Sequence, residues 1–197
     1  MQRSDREVIE ALKAGEPWAL DYFYRANAEK VLSWAIRLGG PYVDAEDVAQ
    51  DVFAVALRKI HQFRGDARIS TWLFAITRNL ISNARRKATL RRWVGLDTLP
   101  ELPNPGSAPD EEVQTLRRRR AIQLALERLG AKPREVLVLM DMEGRTAPEV
   151  SNMLGVPTGT VYSRLHYARK AFATALEREG LGRKELFGSV AVARGDA

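Results

Sequence analysis

The sequence predicts an all-α fold: two helical domains joined by a flexible acidic, proline-rich linker, the second domain containing a helix-turn-helix. Three observations carry this expectation. Apolar residues recur at intervals of three and four, and no stretch alternates at period two for long enough to build a sheet. Residues 97–112, DTLPELPNPGSAPDEE, hold five acids, no base and four of the nine prolines. Such prolines remove backbone donors and push the preceding residues into extended conformations, so a strap rather than a helix is expected there. Fully extended, it spans up to roughly 55 Å at ~3.3–3.6 Å per residue. Finally, Gly155-Val156-Pro157 separates a short helical pattern from a long one, the punctuation of a helix-turn-helix.

The elements follow in order. Ser4-Asp5-Arg6-Glu7 has capping-box spacing, and Gly15 stops a first helix carrying Val8, Ile9 and Leu12. Pro17 suits the first turn of a second helix, which Gly39-Gly40-Pro41 ends. Asp44 caps a third helix, with Val48, Val52, Ala56 and Ile60 on one stripe. A break over residues 62–68 precedes a fourth helix with Ile69, Trp72, Leu73, Ile76 and Leu80 on its inner face. The second body opens near Val113 with a helix whose inward stripe is Ile122, Ala125 and Leu129. Pro133 opens the next, with Val136, Leu137 and Met140 expected to be buried before Gly144 stops it. Thr146-Ala147-Pro148-Glu149 starts a short helix, and Pro157 opens the last. The domain reading is therefore 1–96, linker 97–112, 113–178 and a tail, 179–197.

Composition restricts the chemistry. Of 197 residues, 45% are hydrophobic and 28% charged, as in globular proteins. The absence of cysteine removes disulfides, thiolate zinc sites and thiol nucleophiles, and two histidines, His61 and His166, give little material for an imidazole metal site or a triad. No cofactor, metal or small-molecule substrate is expected. No apolar run approaches the length of a membrane helix, so a cytoplasmic location is the expectation. The net charge of +6 partitions unevenly: +5 over 1–96, −5 over the strap, +6 over 113–178 and zero over the tail.

That partition points to nucleic acid. At 100° per residue, Val161, Leu165, Ala168 and Phe172 fall within about 60° of arc on the last helix. Ser163, His166, Tyr167 and Lys170 lie opposite, flanked by Tyr162, Arg164 and Arg169. Such a face suits either a solvated surface or insertion in a major groove, where polar groups read base edges and cations hold phosphates. In the first body, Arg64, Arg68, Arg78, Arg85, Arg86, Lys87, Arg91 and Arg92 interleave with Phe63, Trp72, Phe74 and Trp93. Rings stack on bases while cations track a single strand, although Phe74 is better placed in the core. Asp44, Glu46, Asp47 and Asp51, with Gln50, either complement a helix dipole or form a docking edge for a basic partner.

Asp44-Ala45-Glu46-Asp47-Val48-Ala49-Gln50-Asp51-Val52-Phe53, then Phe63-Arg64-Gly65-Asp66 and Ser70-Thr71-Trp72-Leu73-Phe74-Ala75-Ile76-Thr77-Arg78-Asn79, resemble region 2 of the extracytoplasmic-function (ECF) sigma factors. Pro133-Arg134-Glu135-Val136-Leu137 and Gly155–His166 resemble their region 4, in the right order and at the right spacing over residues 4–178. The resemblance implies a non-enzymatic initiation factor that binds the β′ and β subunits of core RNA polymerase and directs it to a promoter. It assigns Asp44, Glu46, Asp47, Gln50 and Asp51 to polymerase docking. It assigns Phe63, Arg64, Asp66, Arg68 and Ser70, beside Trp72, to capture of an extruded −10 base, with Asn79, Arg85 and Arg86 on neighbouring nucleotides. Thr160, Tyr162, Ser163, Arg164, His166, Tyr167, Arg169 and Lys170 are assigned to the −35 duplex. The family often carries Lys or Arg where Tyr162 and Tyr167 stand, so an unusual −35 preference is expected. An anti-sigma factor is the implied regulator, holding such proteins inactive, often at the inner membrane. Two other classes compete: a stand-alone helix-turn-helix regulator, and a magnesium-dependent nuclease using the carboxylates of residues 44–51.

Overall fold

The computed structural model describes residues 3–95 and 110–181. The proline-rich stretch up to Pro109 and the tail beyond Leu181 lie outside the described residues, as do the expectations made for them. The described elements are helical throughout: α1 (Asp5–Ala14), α2 (Pro17–Gly39), α3 (Ala45–Arg58), a 3-10 turn (Ile60–Gln62), α4 (Ile69–Trp93), α5 (Asp110–Glu127), α6 (Ala131–Leu137) running into a π-helical turn (Val138–Met142), α7 (Ala147–Leu154) and α8 (Thr158–Arg178). Two compact units divide the chain, Met1–Thr98 and Leu99–Ala197.

In the first unit the helix ends follow the local sequence. Ser4 Oγ accepts the Glu7 N–H at 3.2 Å, while the Glu7 carboxylate is taken by Arg3. Gly15, at φ 75°, turns the chain left-handed so that its own N–H and that of Glu16 reach the Leu12 and Ala11 carbonyls, closing α1 as only glycine does cheaply. Asp44 Oδ1 accepts the N–H groups of Glu46 and Asp47, both at 3.0 Å, a cap worth about 1 kcal/mol. α2, α3 and α4 pack pairwise against one another. Their shared core holds Trp34, Phe23, Val31, Val52, Leu73 and Phe74, all essentially without solvent exposure. The Trp34 and Phe74 rings meet edge to face at 5.1 Å, a favoured aromatic geometry.

α4 buries a wider arc than its predicted stripe. Ile69, Leu73 and Ile76 are buried as expected, but so are Phe74, Thr77, Ile81 and Ala88, while Trp72 and Leu80 lie at the margin. The reason is that α4 packs against two helices at once, which moves the centre of its buried face towards Leu73, Thr77 and Ile81. Thr77 meets its polar requirement locally, donating to the Leu73 carbonyl at 2.8 Å.

In the second unit α8 packs against α5, α6 and α7. Helix α5 begins at Asp110, inside the stretch expected to be extended. Beyond Pro109 nothing bars a helix, because the sequence holds no further proline before Pro133. Met140, expected to be buried, is half-buried, because the chain widens into the π-helical turn at Val138 and rotates the residues after it. Arg134 is 1% exposed: its Nη2 donates to the Glu127 and Leu129 carbonyls at 2.9 and 2.8 Å, and Nη1 lies 3.5 Å from Glu127 Oε2. This cation fastens the carbonyl end of α5 to α6, where a helix favours positive charge.

Candidate functional site

Three surfaces carry the residues singled out from sequence. The first is the outer side of α3. Its acids divide into two stripes by helical spacing. Asp44, Asp47 and Asp51 recur at three and four residues and line a groove between α3 and α4 of about 510 Å3. The facing wall carries Arg86, Lys87 and Arg91, and Val48 and Leu80 contribute to the floor. Glu46 and Gln50, one turn apart, are exposed on the side of α3 away from its buried Val48, Val52 and Ala56. A partner laid along α3 therefore meets Glu46 and Gln50 directly and Asp47 and Asp51 at its edge. Asp44 spends one oxygen on the helix cap.

The second surface is the connection from the 3-10 turn to α4. Phe63 is buried, its ring 4.9 Å from that of Trp72 and tilted by 43°. Its contact is with a ring that is only half-buried, so of the two aromatic side chains Trp72 is the one that reaches solvent. Arg64, Gly65, Asp66, Ala67 and Arg68 are all exposed, and Ser70 is half-buried in the first turn of α4. Gly65 sits at φ 83°, a left-handed position that lets the loop reverse with nothing within 4 Å of where a Cβ would lie. Trp72, Asn79 and Arg86 recur every seven residues on the solvent side of α4, so loop and helix make one continuous face. Asn83, which sequence reasoning passed over, joins them: its Oδ1 lies 3.4 Å from Arg86 Nη2. Arg85 leaves this face. It is half-buried, and its Nη1 donates to the Gly39 carbonyl at 2.9 Å, holding the C-terminus of α2.

The third surface is α8. Gly155, at φ 65°, ends α7, and Ser151 Oγ donates to the Val156 carbonyl at 2.6 Å, fixing the turn into α8. Thr146 N and Oγ1 both donate to Glu149 Oε2 at 2.9 Å in the predicted capping box. Val161, Leu165 and Ala168 are buried, while Tyr162, Ser163, His166, Tyr167 and Lys170 are exposed and Thr160 and Arg164 half-buried. Ser163 Oγ donates to the Thr160 carbonyl at 3.1 Å, leaving acceptor capacity on the hydroxyl. Arg169 is turned sideways instead. Its Nε and Nη2 grip Asp141 Oδ2 and Oδ1 at 2.8 and 2.7 Å, the fork geometry of a strong arginine–carboxylate pair. Those hydrogen bonds raise the guanidinium pKa above its ordinary value, opposed in part by burial and aided to a lesser degree by Asp141's charge.

Residues 23–91 match the Sigma-70 region 2 family, and residues 119–172 match Sigma-70, region 4. An ECF RNA polymerase sigma factor of Mycobacterium tuberculosis (strain ATCC 25618 / H37Rv), SigM, is 33% identical over 175 residues, covering 89% of this chain and 86% of its own. The chain belongs to the ECF sigma factors. Two solved structures share the fold of this sigma factor at 23% identity. CnrH in complex with the cytosolic domain of CnrY has a TM-score of 0.66, covering 89% of this chain and 99% of that one. The Bartonella quintana sigma factor RpoE with the anti-sigma factor NepR has a TM-score of 0.62, covering 80% and 96%. Finding both regions in order disfavours a stand-alone helix-turn-helix regulator. The region 2 match contains α3, the loop and most of α4, but not α1; the region 4 match contains the whole turn from α7 into the exposed face of α8. Among the described residues no three Asp, Glu or His side chains converge as metal ligands, and no helix is long and apolar enough to cross a membrane.

Proposed function

We propose how this ECF sigma factor divides promoter-specific initiation among its three surfaces. The α3 edge, with Glu46, Asp47, Gln50 and Asp51 presented and Asp44 holding the helix start, docks on core RNA polymerase through β′, with β contacts elsewhere. The exposed loop Arg64–Arg68, with Ser70 and Trp72, receives an extruded −10 base, while Asn79 and Arg86 follow the strand along α4. Phe63 packs against Trp72 rather than stacking on the base. The α8 face, Tyr162, Ser163, His166, Tyr167 and Lys170, enters the −35 major groove, with Thr160 and Arg164 at its edges. The protein contributes specificity and no catalysis of its own, acts in the cytoplasm with polymerase, and is restrained by an anti-sigma factor.

The observation that carries this reading is the segregation of charge within one small helical unit. Acids are gathered on α3, the loop exposes Arg64 and Arg68 with Asp66 between them, and the cations Arg86, Lys87 and Arg91 of α4 meet the α3 acids across the groove between the two helices. A surface repelling DNA beside one attracting it suits a protein that must hold a basic protein partner and an opened strand together. The test is core affinity of Asp47→Arg, with in vitro transcription as second readout. Reversing a charge at a docking edge should weaken core binding by about tenfold or more, because like charges are then opposed at the interface. Wild-type core affinity in this variant refutes the α3 assignment.

A further inference from the structure

Helix α1 lies outside the residues matched to region 2, yet one hydrogen bond ties it to the loop assigned to the −10 strand. Asp5 Oδ2 accepts the Ile69 N–H at 2.8 Å, across 64 positions of sequence. Ile69 is the first residue of α4, and its N–H belongs to the donors that every helix start leaves over. The residue in the cap position is Arg68, whose side chain makes no cap bond and whose charge is of the wrong sign for a helix N-terminus. Asp5 therefore supplies, from another helix, the cap that the loop sequence lacks. α1 also packs on the 3-10 turn Ile60–Gln62, immediately before the loop. Its buried Val8, Ile9 and Ala11 anchor it to the unit. The loop is thus held at both ends by α1, while Arg64–Arg68 between them stay in solvent.

We propose that Asp5 is a positioning residue for promoter melting. By capping α4 it keeps Ser70 and Trp72 in a formed first turn, and so presents the loop to an extruded base in one arrangement. Without the cap this turn frays, and capture of the base must bear the cost of ordering it. The inference rests on the −10 assignment of the loop, so the experiment carries a control for that assignment.

Holoenzyme is assembled from core polymerase and full-length wild type, Asp5→Ala, Asp5→Asn or Arg64→Ala. Strand opening on a promoter it transcribes is followed by permanganate reactivity of −10 thymines, with core affinity and closed-complex affinity measured in parallel. Loss of a helix cap corresponds to roughly a five- to tenfold loss of the open complex for Asp5→Ala. Core and closed-complex affinities should stay unchanged. Asp5→Asn keeps a side-chain oxygen for the Ile69 N–H and should melt within about twofold of wild type. Wild-type melting by Asp5→Ala, with Arg64→Ala impaired, overturns the role of Asp5 while leaving the loop assignment standing. Wild-type melting by Arg64→Ala removes the loop assignment and the proposal with it. An equal loss of core affinity in Asp5→Ala, or equal melting defects in Asp5→Ala and Asp5→Asn, also overturns it, because general destabilisation or bare charge then accounts for the effect.

Discussion

Several arginines have the chemistry of a DNA contact, but their neighbours decide whether they serve as one. Arg64 and Arg68 are exposed on the loop; Arg85, only a few turns along α4, is drawn onto the Leu38 and Gly39 carbonyls at 3.5 and 2.9 Å. Arg134, in the second unit, disappears altogether into carbonyl bonds at the end of α5. A charged hydrogen bond of this kind contributes more than a neutral one, and its loss strands carbonyls that α2 cannot satisfy alone. Arg85→Ala is therefore expected to lower stability by about 1–2 kcal/mol in urea unfolding. Arg86→Ala, on the exposed side, should leave the unfolding midpoint nearly unmoved and weaken strand binding. Reversal of that order would return Arg85 to the DNA face.

Elements set the next level of control. The helix-turn-helix works only if α8 is held at a fixed angle to α7, and the turn holds it with very few atoms. Gly155 reverses the chain, its N–H and that of Val156 both reach the Ser151 carbonyl, and the Ser151 hydroxyl closes back on Val156. Ser151→Ala removes one of these bonds and should cost about 1 kcal/mol, the usual net worth of a hydrogen bond. The expected readout is a lower urea midpoint together with several-fold weaker binding to a −35 duplex, even though Ser151 is not among the exposed groups of α8. The π-helical turn before α7 acts on the same helix from its flank, since it carries the Asp141 that grips Arg169.

Over the whole molecule, charge partition matters more than the sum of +6. Cations free to meet phosphate release counterions, and each such contact steepens the fall of affinity with salt by about one unit of log–log slope. Lys170 is exposed on α8, whereas the charge of Arg169 is already balanced by Asp141. Measured as holoenzyme affinity for promoter DNA over a range of salt concentrations, Lys170→Ala should lower the slope by about 1. Arg169→Ala should leave it close to wild type. A full unit lost in Arg169→Ala would mean that the pair opens on DNA and that Arg169 does hold phosphate.

Much of this was legible in the sequence because it depends on neighbours three and four residues away. Apolar periodicity located the helices, and glycines and prolines marked most of their ends. The stripe Val161, Leu165 and Ala168 identified the inner face of α8, and so also the outer face that carries Ser163, His166, Tyr167 and Lys170. The acids of α3 and the loop at 63–68 stood out for the same reason, as local runs of one chemistry. Tertiary structure alone decided which of those side chains remain available. Phe63 and Trp72 are close in sequence but divide into a buried and a half-buried ring only when α4 packs against two helices. Arg85 meets α2 across 46 positions, Arg169 meets Asp141 across 28, and Asp5 reaches Ile69 across 64. Local spacing has no knowledge of such pairings, because they arise when separate helices are brought together by burial of their apolar faces, and hydrogen bonds then form between whatever that packing leaves adjacent.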